Sequence, residues 1–312
     1  MAVTMAEAAK ETEDALRRGV IETIVEVSPI AQYLPFNSIQ GFAQRGLKHG
    51  TLPTVGFRSV NTDWTTAEGA LAPWLEPLAI LGGRVTVDRF LVEQGGNLVD
   101  IKTSQYDLKA RAVGIKLSET FFEGDIQTDA KVFNGMRKRL TGNQLIDMGD
   151  GGGTLTLAKM DEAKDAVVGS PTNIFMNKTL RRKLASLVND ATSAAGHLRI
   201  TGGLDEFGAV IQKYDGIPIN VVEREDDAST ILGFDEDDAV AGGGNMDTAS
   251  IYFVRFGEPG LYGLQGVAGG PEVEDFGLIE GSVNHVGDIN WYVGLAMPNP
   301  RYASRLLRIN NA

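Results

Sequence analysis

Apolar and polar positions change period several times along the chain, and each change predicts a different element. Over residues 7–26, Leu16, Val20 and Ile24, with Val27 just beyond, fall four, four and three apart, the spacing of one helix face. Ser28-Pro29 predicts its end, because the residue before a proline is biased away from the helical region. Tyr33, Leu34, Pro35 and Phe36 then predict an extended apolar segment, so the N-terminal stretch reads as an arm that needs a surface to lie upon. From 52 to 93 the alternation is strand-like: Val55, Phe57 and Ser59 against Gly56, Arg58 and Val60, then Val85, Val87 and Arg89 against Thr86, Asp88 and Phe90. Asn61-Thr62-Asp63-Trp64 and Glu68-Gly69-Ala70 lie between as polar turns. This predicts a long two-stranded ribbon, marginal alone in water, whose edges are templates for another chain.

Residues 98–123 predict one helix of ~39 Å at ~1.5 Å per residue. Its expected apolar stripe is Ile101, Leu108, Ala112, Ile115 and Phe122, widened by Val113, Leu117 and Phe121, with Gly124 as the residue after its C-cap. The run 149–153, Gly-Asp-Gly-Gly-Gly, predicts a flexible joint. Beyond it the texture is α/β: Thr156 caps a helix through Met160, Ala163 and Val167; 172–176 is a short buried strand; 178–190 is a second helix; 216–222 and 251–256 are turn-flanked strands. Near the end, Ile289, Trp291, Val293, Leu295 and Met297 fall on one strand face, and Asn290, Tyr292, Gly294 and Ala296 on the other. Pro298 and Pro300 break this strand before 302–309 resumes. Both strands are expected to return onto the long helix, which makes the fold discontinuous.

Composition narrows the classes. A 312-residue chain with 43% hydrophobic and 22% charged residues can build two compact regions plus extensions. A net charge of -12 argues against a sequence-reading nucleic-acid protein, though an acidic wall can enclose nucleic acid without sticking to it. With no cysteine there are no disulfides, thiolate nucleophiles or Cys-type zinc sites, and no apolar run spans a bilayer.

The catalytic inventory is thin. His49, His197 and His285 show no paired spacing, and no glycine run ends in Gly-Lys-Ser/Thr. Gly169-Ser170-Pro171 and Gly281-Ser282-Val283 lack the frame of a nucleophile elbow. The acidic clusters at 223–227 and 235–238 lack the EF-hand order and read as solvated loops. Arg181-Arg182-Lys183 reads as the wet face of a helix. Arg137, Lys138 and Arg139 read as partners for a neighbouring subunit's acidic arm. Trp64 and Trp74, in a polar ribbon with little core to enter, read as interface residues.

The order of these parts resembles the major capsid proteins of tailed phages, the Hong Kong 97-type fold, over nearly the whole chain. The stretch through Phe36 resembles the family's N-arm, and 48–90 its extended E-loop. The long helix with Gly124-Asp125 and Phe133-Asn134-Gly135-Met136 is similar to the spine helix and its exit. Asn173-Ile174-Phe175-Met176-Asn177, Tyr214-Asp215-Gly216-Ile217-Pro218-Ile219 and 251–256 resemble the axial domain; 291–297 and 303–309 look like the terminal peripheral strands.

The resemblance implies an α+β fold with an N-terminal arm (1–45), an E-loop (46–92), a peripheral domain with the spine helix (93–153 and 271–312) and an axial domain (154–270). It implies a non-enzymatic major capsid protein, without cofactor, that assembles with itself as pentamers and hexamers into an icosahedral shell around double-stranded DNA. Non-specific DNA contact, a separate scaffolding protein, a portal and a decoration protein are the expected partners. The virion capsid, assembled in the host bacterial cytoplasm, is the expected location. Some members cross-link an E-loop lysine to a neighbour's asparagine; residues 50–92 hold no lysine, so this chemistry is not carried over. Inter-subunit stability then falls to Arg58, Asp63, Trp64, Glu68, Trp74, Arg137, Lys138 and Arg139. The alternatives are an encapsulin-type shell around cargo enzyme and an α/β enzyme with no recognisable site.

Overall fold

The last long apolar alternation of the sequence is the hub of a sheet. In the computed structural model, which describes residues 3–5, 15–94, 98–190, 200–204, 210–223, 230–239 and 244–311, strand Asn284–Ala296 pairs antiparallel with three others. Numbered in chain order these are β5 (Ala79–Asp88), β13 (Tyr262–Gln265) and β14 (Glu272–Leu278), with the hub as β15. β13 also pairs parallel with β2 (Pro35–Ser38), and β2 antiparallel with β1 (Val3–Thr4). Ile289, Trp291, Val293 and Leu295 are buried, as the alternation predicts, whereas Tyr292 on the opposite face is 42% exposed.

Helix α1 (Ala15–Val27) and the 26-residue spine helix α4 (Leu98–Glu123) cover this sheet; between them come α2 (Pro29–Tyr33) and α3 (Arg89–Gln94). Expected residues 7–14 of the first helix lie outside the described ones. α1 does not wait for a neighbour: Ile21 and Ile24 are fully buried against its own chain. The absence of a side chain at Gly114 permits this, since a Cβ there would stand 3.3 Å from the carbonyl oxygen of Ile24. Ser28 ends α1 and starts α2, its hydroxyl accepting from the Ala31 amide with Pro29 in the first turn, where a missing N–H costs nothing.

The spine helix has the predicted bounds, and Ile115 and Phe122 of the predicted stripe are buried, as are the expected flanking residues Val113, Leu117 and Phe121. Tyr106, Ala110, Val113, Leu117 and Phe121 form the buried row, while Leu108 and Ala112 face out. Gly124 does not take a left-handed conformation; it is a crossing point, where a Cβ would meet the carbonyl oxygens of Phe133 at 2.3 Å and Thr120 at 2.6 Å. The Gly135 amide donates to the Gly124 carbonyl at 2.7 Å, so two glycines lock the helix exit onto α5 (Met136–Arg139).

A second sheet runs in the order β6 (Leu145–Asp147), β16 (Ala303–Asn310), β12 (Met246–Val254), β7 (Asn173–Met176), β10 (Ile217–Val221), β9 (Val210–Tyr214), β8 (Ile200–Leu204), with β11 (Glu236–Asp237) beside β12. The two terminal strands therefore do not share a sheet: after the proline break, β16 crosses over and pairs with β12 and β6. Both faces of this second sheet are covered, which explains the unbroken apolar run in β7. Ile174, Met176, Ile251 and Phe253 pack under α6 (Leu157–Asp165, capped by Thr156) and α7 (Lys178–Asp190). Phe175 and Tyr252 point the other way and join Phe121 and Phe122 of the spine helix, with ring centroids 5.0 to 6.3 Å apart. The expected glycine joint at 149–153 is tied down instead: Gly151 donates to the Asp238 carbonyl at 3.0 Å, and Gly153 to that of Arg308 at 3.0 Å.

The acidic run at 235–238 is not wholly solvated. Glu236 is buried and accepts from Arg305 Nη2 at 2.7 Å and from the Ser250 hydroxyl.

Candidate subunit interface

The ribbon exists, with different strands from those expected. β3 (Ala43–Thr51) pairs antiparallel with β4 (Ala70–Pro77). Val85 and Val87 belong to β5 and pair with β15, not with 55–59. Residues 52–69 form no strand; they extend beyond the paired stems with a turn at 59–62, in which the Thr62 hydroxyl donates to the Ser59 carbonyl at 2.8 Å.

This excursion carries apolar side chains without a core. Leu52, Val55, Phe57, Val60 and Trp64 are 81%, 89%, 108%, 88% and 65% exposed. Arg58 lies over the Trp64 ring, 5.4 Å from its centroid, and donates to the Thr62 carbonyl at 3.0 Å. Asp63 and Glu68 are exposed on the same segment. These four expected residues are therefore exposed on one segment, whereas the apolar majority around them was read only as strand alternation. The missed signal was the apolar content itself, in a stretch too polar at its turns to fold on its own.

The stems divide by face. Leu71, Pro73 and Leu75 of β4, with Leu47 of β3, point to solvent. Ala72, Trp74 and Glu76 point to the body. Trp74 lies flat across Gly46, where a Cβ would be 2.4 Å from the indole, and packs against Tyr262, Leu264 and Ala296. It is a half-buried root residue and not an exposed tip.

The three basic residues meet carboxylates of their own chain. Arg137 stands 3.8 Å from Glu123, and Lys138 donates to Asp125 at 2.9 Å. Arg139 makes a two-pronged pair with Glu76, Nη2 to Oε2 at 2.8 Å and Nη1 to Oε1. The Lys138 hydrogen bond holds the Asp125 carboxyl below its usual range, while burial, then Asp235, pushes Glu123 up.

A second apolar patch, at the far end of the β5–β15 pair, gave no sequence signal. Phe276, Leu278, Ile279 and Val283 at the β14–β15 turn and Phe90 and Leu91 of α3 are 39% to 68% exposed, joined where the Arg89 amide donates to the Val283 carbonyl at 2.8 Å. Among the described residues no group of three or more His, Cys, Asp or Glu is placed to hold a metal ion, and no helix is long and apolar enough to cross a membrane. His197 lies outside the described residues.

No family model matches the chain, and no curated protein matches it. Solved structures do. The holo-SrpI encapsulin complex from Synechococcus elongatus PCC 7942 superposes with a TM-score of 0.65 at 13% identity, over 91% of this chain and 88% of that one. A structure from Microbacterium phage Oxtober96 gives 0.63 at 12% identity, over 90% of each chain. The capsid of a native GTA particle gives 0.62 at 15% identity, over 91% and 90%. Two packed sheets, a spine helix and a projecting ribbon, superposed over nine-tenths of these chains, are one architecture: this chain has the Hong Kong 97-type capsid fold.

Proposed function

We propose that this chain is the subunit of a closed protein shell, a major capsid protein that forms pentamers and hexamers around double-stranded DNA. One observation carries the reading: the excursion 52–69 exposes five large apolar side chains beyond the ribbon stems, with no core of their own. Large apolar side chains gathered in the open on one segment mark an interaction site. A ribbon tip meets a surface unlike itself, so the contact is heterologous, and a heterologous contact closes into rings when the rotation permits. In this reading 154–270 line the capsomer centre, the ribbon lies over the next subunit, and the -12 charge keeps the wall from adhering to packed phosphate. The work is containment, not catalysis; a shell neighbour from phage or GTA particles supports it.

The likeness to an encapsulin supports a second reading, a shell around protein cargo. Light scattering with negative-stain imaging of the purified protein tests both. Megadalton particles tens of nanometres across are expected; a stable monomer or small oligomer, even with a scaffold co-expressed, would refute a shell. Nuclease-protected nucleic acid inside the particles selects the first reading, and a co-purifying enzyme the second.

A further inference from the structure

We infer that Arg139 and Glu76 fix the direction of the ribbon within the single subunit, so that the arm is aimed before it meets a neighbour. The consequence for assembly rests on the shell reading above; the aim itself does not.

The geometry is built from the strand period. Trp74 and Glu76, two residues apart on β4, share the face that meets the body. The first supplies apolar packing against Tyr262, Leu264 and Ala296, and the second receives the Arg139 fork. Both charged side chains are largely shielded, at 9% and 15% exposure, unlike Arg137 at 39% and Lys138 at 43%. The rest of the guanidinium is engaged as well: Nε donates to the Asn134 carbonyl at 2.6 Å and Nη2 to that of Leu295 at 2.9 Å. One planar group therefore ties the ribbon to the turn before α5 and to the end of β15. A two-pronged pair sets an angle as well as a distance, and a guanidinium cannot lose its charge to release it.

The lever arm makes this matter. β3 has nine residues, a stem of about 30 Å, so a rotation of ~10° at the root moves its end by about 5 Å. No strand pairing beyond residue 51 corrects such an error.

The chain has no cysteine, so Leu71→Cys and Leu108→Cys, both at exposed positions, can carry the only two spin labels. Pulsed dipolar spectroscopy on the full chain, with labelled subunits diluted among unlabelled ones, reads the ribbon-to-spine distance. The parent should give one narrow distribution, and Arg137→Lys should leave it unchanged. Glu76→Gln and Arg139→Lys should broaden it, with far-UV circular dichroism preserved. A distribution as narrow in both variants as in the parent would overturn the inference. Glu76→Gln is nearly isosteric and keeps the test decisive where Arg139→Lys folds poorly. Failure of the parent to form particles would count against the shell reading alone, because the distance measurement needs no shell.

Discussion

Replacing Phe57 and Trp64 together by alanine should separate assembly from folding. Both side chains project from the excursion, at 108% and 65% exposure, and touch no core of their own subunit. Exposed substitutions of this kind change stability by at most about 0.5 kcal/mol, so the melting temperature of the unassembled subunit should hold. Burial of each ring on a neighbour is worth at least ~1.5 kcal/mol, so the pair contributes about 3 kcal/mol per contact. At about 1.4 kcal/mol per tenfold, this weakens the contact roughly 100-fold. Light scattering against protein concentration, at fixed salt and temperature, reads the onset of particle formation. That onset should rise by a similar factor per tip contact. An unchanged onset, with an unchanged melting temperature, would mean that the tip reaches no apolar surface and would remove the main support for the ribbon as a contact arm.

Other perturbations act inside the subunit. Trp74→Ala, unlike a tip substitution, should destabilise the unassembled subunit by about 2 kcal/mol, below the cost of a fully buried tryptophan, measured by denaturant unfolding. Gly124→Ala forces a methyl against the Phe133 and Thr120 carbonyls and should cost roughly 1–3 kcal/mol in the same assay. Arg305→Met leaves Glu236 buried without its cation and should cost about 3–5 kcal/mol; pairing it with Glu236→Met should recover much of that loss. The Arg84 hydrogen bond holds Asp288 below the usual carboxylate range, as Lys138 does Asp125. Their stabilisation is complete above the unfolded value of about 3.9 and fades as pH falls through the lower folded values. Denaturation midpoints should therefore drop below about pH 4, and Asp288→Asn should flatten part of that slope.

What the sequence disclosed followed from period and punctuation. The spine helix, the helices Leu157–Asp165 and Lys178–Asp190 of the second core, and the alternation in β15 all appear where apolar spacing and capping residues put them. The stripe on the spine helix was misread only at Leu108 and Ala112, which face out, whereas Tyr106 and Ala110, a polar-tipped and a small residue, occupy the buried row. Strand partners were not legible: nothing local distinguishes Val85 pairing with Gly287 from Val85 pairing within a ribbon, since pairing is decided by contacts about 200 residues apart. Among the expected interface residues, Trp64 and Trp74 have the same chemistry and opposite surroundings. The difference lies in Gly46, the cross-strand partner that gives Trp74 a floor.

These surroundings divide the molecule into a stiff body and a bare arm. Residues flanking the first sheet and the spine helix share one core with one face of the second sheet, through Phe121, Phe122, Phe175 and Tyr252. The opposite face closes a second core beneath α6 and α7. β16 strengthens the join, because the chain enters it directly from the first sheet. Sliding one sheet past the other would break ring contacts and ladder bonds together, so the body resists shear. The excursion 52–69 has neither, and its apolar side chains stay in water until another surface covers them. A chain that closes a core on each face of its second sheet yet leaves Phe57 fully exposed keeps an apolar surface that, in the shell reading, another copy covers, and the Arg139–Glu76 pair sits at the boundary between the two regimes.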